Sequence, residues 1–232
     1  MAPRISEMVT IPSGHEKVAG YVSRPDAPGR HYPIFILHEW WGLVDHIKDV
    51  ANRYADQGYV AVALDLFKGQ TADSREGAKQ LSSQVTPEYS SRVLADAMSW
   101  LRSQLYARLD RIGLTGFCFG GTHALRFACQ SKAVQAGVIF YASRLPEDEL
   151  LEKTVTPLLI LYGDQDGSVP VDQSRKLEAT LKSYGKDAEL VLYPGARHAF
   201  FNDSEPETYN ADAANDSWKR TIAFFDQKIK QQ

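Results

Sequence analysis

Three segments of this sequence place reactive side chains where an apolar run gives way to a turn. In the first, the run Arg111-Ile112-Gly113-Leu114-Thr115 enters Gly116-Phe117-Cys118-Phe119-Gly120-Gly121 and then the helical pattern that starts around His123. A cysteine centred in G-x-C-x-G between a strand and a helix is set up as a nucleophile. The flanking glycines, Gly116 and Gly120, let a sharp turn pass close to its neighbours. The turn exposes the sulfur, the dipole of the following helix favours the thiolate, and the Phe119 N–H is aimed at a developing oxyanion. In the second segment, Leu158–Tyr162 ends in Gly163-Asp164-Gln165-Asp166-Gly167-Ser168-Val169-Pro170, a loop able to hold a carboxylate at a strand end. In the third, Tyr193-Pro194-Gly195-Ala196-Arg197-His198 carries a histidine on a turn. An imidazole titrating near neutrality is suited to general-base work, with a carboxylate fixing which nitrogen bears the proton. A nucleophile, a base and an orienting acid together point to attack on an acyl carbon.

Other candidates have plainer readings. Cys129 lies inside the helix beside Phe127 and Ala128 and reads as core; it and Cys118 sit on one turn and its helix, and both are expected to be reduced. His15, His31 and His46 show no metal-ligand spacing, and His123 reads as helix packing, so neither a metal nor an organic cofactor is expected. The run Ile34–Leu37 ends in His38-Glu39-Trp40-Trp41-Gly42. A carboxylate at such a strand end would oppose negative charge growing on a substrate carbonyl, so Glu39 reads as a partner of the thiol. Trp40, Trp41, Phe119, Phe200 and Phe201 cluster by sequence around these segments, as core or as pocket wall; both readings stay open.

The elements that must position these groups alternate. Strands are predicted at Val18–Val22, Pro33–His38, Tyr59–Leu64, Arg111–Gly116, Ala136–Tyr141, Pro157–Tyr162 and Ala188–Tyr193. Helices are predicted over roughly Asp45–Gln57, Asp73–Ser83, Pro87–Ala107, Gly120–Ser131, Asp172–Tyr184 and Asn215–Lys230. This alternation is the mark of βαβ units in a mostly parallel sheet with helices on both faces. At 232 residues and 44% hydrophobic content, residues 1–232 are expected to form one domain. The formal charge of −3 is interspersed, without a basic run suited to nucleic acid. Neither a signal peptide nor a membrane span is read in it, which favours the cytoplasm.

The chain order Cys118, acid, His198 resembles that of α/β-hydrolases, where each group ends a successive strand. That pattern assigns the acid to Asp166, through G-x-x-D-x-x-V-P, and leaves Asp164 to shape the turn. The combination H-E-W-W-G, G-F-C-F-G-G, G-D-Q-D-G-S-V-P and R-H-A-F, with Tyr209–Ala214 and a final helix bearing Trp218 and Phe224-Phe225, resembles the dienelactone hydrolase family over essentially the whole chain. The resemblance implies a carboxymethylenebutenolidase-like lactone or ester hydrolase. Cys118 would be the nucleophile, His198 the base, Asp166 its orienter and Glu39 the residue controlling the thiol's charge, with the N–H groups of Trp40 and Phe119 as oxyanion hole. No cofactor is implied. Members that process dienelactone carry a substrate-binding arginine four residues after the histidine, where this chain has Asn202; Arg197, Arg144, Arg75 or Arg92 would have to replace it.

A lactone or ester is thus the expected small-molecule partner, with a monomer or weak homo-oligomer and no nucleic-acid or membrane partner. Two other classes remain open: a small-ligand binder on the same fold, and a redox-sensing thiol protein, for which no resolving cysteine is evident.

Overall fold

The computed structural model describes residues 3–231. The chain clusters into two compact units, one ending at Ile112 and one beginning at Gly113.

In the first unit, β1 (Arg4–Ser13) and β2 (Glu16–Pro25) form an antiparallel hairpin whose pairing runs to Ser13 opposite Glu16. Gly14 opens the two-residue loop with φ +57°, the positive value a II′ turn needs at its first position. β2 pairs antiparallel with β4 (Val60–Leu64), and β4 pairs parallel with β3 (Pro33–Leu37). α1 (Asp45–Asp56) connects β3 to β4, and α2 (Arg75–Ser83) and α3 (Pro87–Leu101) follow. Every residue of β3 and β4 is buried, which explains their unbroken apolar composition. The Ser74 and Thr86 hydroxyls cap α2 and α3 by accepting the Gly77 and Tyr89 N–H groups.

The second unit is the one that positions the reactive groups. β5 (Gly113–Phe117), β6 (Ala136–Phe140), β7 (Leu158–Gly163) and β8 (Ala188–Tyr193) pair parallel in that order. α4 (Phe119–Gln130) joins β5 to β6, the single turn α5 (Asp148–Leu151) lies between β6 and β7, and α6 (Val171–Ser183) joins β7 to β8. α7 (Ala211–Phe225) closes the unit and runs into a wider turn of helix over Asp226–Lys230. Because the strands are parallel, Phe117, Phe140, Gly163 and Tyr193 all end on one edge. Ligands of open α/β sheets are received outside such carboxyl ends. Beneath this edge, Phe117 stacks on Phe140 at 4.5 Å and on Phe201 at 5.5 Å.

Four elements differ from expectation, the single turn α5 being one that no pattern indicated. β1 escapes the periodicity because it is largely exposed and carries Arg4, Glu7 and Pro12, a composition that edges tolerate. α3 stops at Leu101, short of Ala107, because Tyr106–Arg108 runs extended beside His31: the His31 N–H donates to Tyr106 O and the Arg108 N–H to His31 O, each 2.9 Å. α7 begins four residues early, where the Asn210 side chain accepts the Ala213 N–H at 3.0 Å. Among the described residues, no helix is long and apolar enough to cross a membrane.

Candidate active site

Cys118 stands between β5 and α4 with φ 53° and ψ −115°, a conformation that costs a non-glycine residue about 1–3 kcal/mol. The end of β6 holds it there. The Cys118 N–H donates to Phe140 O (3.1 Å), and its carbonyl accepts the N–H groups of Thr122 (3.1 Å) and Ser143 (3.3 Å). Space at the turn is made by glycine. A Cβ on Gly116 would lie 2.3 Å from Gly120 O, and one on Gly121 would lie 2.7 Å from Phe140 O. The turn does not expose the nucleophile as expected: Cys118 is only 8% accessible.

Asp166 and His198 come together on the same edge. His198 Nδ1 lies 2.9 Å from Asp166 Oδ2, while Asp166 Oδ1 accepts the N–H groups of Ser168 (2.7 Å) and Val169 (3.1 Å). The Asp166 side chain is wholly buried, so its two oxygens are fixed by these three donors. With Nδ1 given to the carboxylate, Nε2 is the nitrogen left to face Cys118, whose side chain is among the groups that act on this imidazole. Burial works against charging this imidazole, but its interactions with the Asp166 carboxylate and the Cys118 side chain outweigh burial and raise its pKa to about 10. Strain continues around it: Tyr141 (φ 35°) and Ala199 (φ 62°) flank the site, and the Tyr141 ring meets His198 edge to face at 5.1 Å.

The remaining sequence candidates separate. Phe119 opens α4 and meets His123 edge-on at 4.6 Å, in keeping with His123 as a packing residue. Phe200 and Phe201, 0% and 1% accessible, lie in the aromatic cluster with Phe140. Cys129 is buried and its thiol is pushed up to about 11, chiefly by burial. Asn202 is also buried, and its Oδ1 accepts the Ser204 N–H (3.0 Å) and hydroxyl (2.6 Å), so this amide shapes its own loop. Arg144 and Arg197 are exposed on the turns after β6 and β8.

In the first unit, Glu39 is 2% accessible and directly follows His38, the first residue after β3, with Trp40 and Trp41 half-buried and their rings 5.2 Å apart. His38 anchors this strand end: its Nδ1–H donates to the Glu39 carbonyl and its Nε2 accepts the Leu66 N–H at 3.0 Å, which defines a neutral tautomer that burial favours. Arg75 is exposed, whereas Arg92 is taken up by the hairpin, donating to Ser13 O at 2.9 Å.

Sequence reasoning missed three contributors in the second unit: Tyr141, the Ser143 N–H, and Tyr162, whose buried hydroxyl donates to Ala142 O at 2.7 Å. None belongs to a motif. Each acts through the parallel register, which a linear pattern does not display.

Known proteins resemble this chain along its length. The sequence pattern of the dienelactone hydrolase family matches residues 18–229. A Yersinia pestis protein named "Putative carboxymethylenebutenolidase" is 32% identical over 233 residues, covering 94% of this chain and 86% of that protein. "Protein usf" of Aquifex pyrophilus is 30% identical over 232 residues, covering 95% and 98%. Among solved structures, the "Putative Dienelactone Hydrolase" of Klebsiella pneumoniae superimposes with a TM-score of 0.91 at 29% identity, covering 97% of this chain and 99% of that one.

Proposed function

The chain belongs to the dienelactone hydrolase family, ester- and lactone-cleaving hydrolases of α/β-hydrolase fold, and on that premise we propose that it cleaves its substrate through a Cys118 acyl-enzyme. The observation that carries this reading is the unbroken line from the Asp166 carboxylate through His198 to the strained Cys118, all on one strand edge.

The steps follow from that geometry. The Cys118 sulfur attacks the acyl carbon, and the carbonyl electrons move onto oxygen, where the Phe119 N–H at the start of α4 donates to them. The intermediate collapses, breaking the bond to the leaving oxygen, which takes the proton from His198. In a lactone this oxygen stays tethered to the acyl group; in an open ester it departs as an alcohol. Neutral His198 then removes a proton from water as that water attacks the thioester. Expulsion of the thiolate restores the imidazolium and releases the acid, so each turnover consumes one water. Asp166 keeps the Nδ1 proton in place throughout, leaving Nε2 to exchange protons.

Family resemblance supports the rest of the proposal: Glu39 controls the charge state of the thiol, the Trp40 N–H is the second oxyanion donor, and Trp41 contacts substrate. The reading also keeps one domain, a cytoplasmic location and a monomer or weak homo-oligomer. The proposed substrate is a lactone or ester resembling those of carboxymethylenebutenolidases. The enclosed Asn202 favours, as a second reading, a broad-specificity thiol esterase acting on neutral esters. Nitrophenyl acetate hydrolysis by Cys118→Ala tests the mechanism: activity should vanish, and a variant that still turns over would exclude the triad. Lactones and esters with and without a free carboxylate, assayed side by side, separate the two substrate readings.

A further inference from the structure

β7 and β8 stay joined beyond their last paired residues, Gly163 and Tyr193, and the joint lies between the acid and the base. The Asp164 N–H donates to Tyr193 O and the Gln165 N–H to Ala196 O, both at 3.0 Å. Gly163 is pressed so closely onto the opposite turn that a Cβ there would sit 2.1 Å from Ala196 O. Across this seam Asp164 Oδ1 accepts the Gly195 N–H at 2.7 Å. Gly195 holds φ +72° at the corner of the turn, a conformation open to glycine at little cost. Asp164 is two residues from Asp166, and Gly195 is three from His198.

We infer that Asp164 is a positioning residue for the base: its carboxylate pins the Gly195 corner, and through that corner it sets the height and rotation of His198 over Cys118. Without it the acid loop and the base loop would be joined only by backbone rungs and the Asp166–His198 hydrogen bond itself, and the Gly195 corner could move away from β7. The groups facing His198 are Asp166, Cys118 and the Tyr141 ring, none of which contacts Asp164. An effect of Asp164 on the imidazole would therefore pass through the turn. What the corner requires is an acceptor, and a neutral oxygen supplies one.

This inference rests on His198 being the base of the proposed mechanism, so one readout is chosen that does not depend on turnover. Asp164→Ala, Asp164→Asn and the wild type are compared by nitrophenyl acetate kinetics and by NMR titration of the His198 imidazole. In Asp164→Ala, kcat should fall about tenfold or more with KM within about twofold, since misplacing a catalytic group acts on the reacting geometry. The His198 titration should move down from about 10 towards its ordinary value. Asp164→Asn retains an acceptor oxygen and should recover kcat to within about threefold, with the titration restored. If Asp164→Ala does not fold, Asp164→Glu keeps the charge but adds a methylene that pushes the corner outward, and it should show the same downward titration. Wild-type kinetics and titration in Asp164→Ala, or in Asp164→Glu where that replaces it, would overturn the inference, as would equal impairment of Asp164→Asn and Asp164→Ala. Should no member of the series hydrolyse esters, the mechanism fails, while the titration still decides whether Asp164 sets His198.

Discussion

Replacing Gly116 by alanine tests how tightly the nucleophile turn is constrained. The new Cβ would stand 2.3 Å from Gly120 O, 2.6 Å from its carbonyl carbon and 2.8 Å from the Ala124 Cβ. The nearest two atoms are backbone, so no rotamer change relieves the overlap. Reaching ordinary contact at 3.4 Å requires β5 and the first turn of α4 to part by about 1 Å. The Cys118 backbone is tied on both sides of its strained φ, to the end of β6 through Phe140 O and to the turn after it through the Ser143 N–H, so this displacement falls on the sulfur's position relative to His198. A misplacement of that size is expected to reduce kcat/KM about 100-fold, with overpacking costing about 1–3 kcal/mol of stability. The assay is nitrophenyl acetate hydrolysis beside urea unfolding. Gly167→Ala, whose Cβ would meet nothing within 4 Å, controls for the loss of a glycine. A folded Gly116→Ala protein within about threefold of wild-type kcat/KM would refute the claim that the turn's geometry is held by this close approach.

Three further outcomes follow from the same contacts. The folded pKa of His198, about 10, lies above its ordinary 6.5, so its contribution to stability is complete below 6.5 and is lost as pH rises through 10. The wild type should accordingly lose stability relative to His198→Asn across that window in urea titrations, and a constant difference would contradict it. Buried Cys129, with its thiol pushed up to about 11, should remain unlabelled when iodoacetamide modifies the native protein, with peptide mass spectrometry finding the label on Cys118 alone. Tyr162→Phe removes the hydroxyl donated to Ala142 O and should cost about 1–3 kcal/mol in equilibrium unfolding, since the carbonyl is left without that partner.

Local features were the legible ones. The Cys118 turn could be read because strand, glycines and helix are contiguous, and Asp166 and His198 because each follows an apolar run. β5, β6 and β7 were recognisable for a related reason: strands covered on both faces are rich in apolar residues. β1 was not, since an exposed edge strand gains its stability from pairing with β2 and needs little apolar signal of its own. The seam from Asp164 to Gly195 and the bond from Tyr162 to Ala142 depend on which residues the parallel register sets opposite one another. The two phenylalanines after His198 show the converse. Their nearness in sequence suited core and pocket wall alike, and their contacts with Phe117 and Phe140 could not be read from it.

The central claim is that a covalent intermediate forms on Cys118. Rapid acid quenching during hydrolysis of a slow ester, followed by peptide mass spectrometry, measures it directly. The expected result is the acyl mass on the peptide containing Cys118, present in the wild type, enriched in His198→Asn if deacylation is slowed more than acylation, and absent from Cys118→Ala. Acyl mass on any other residue, or steady hydrolysis by Cys118→Ala, would contradict it.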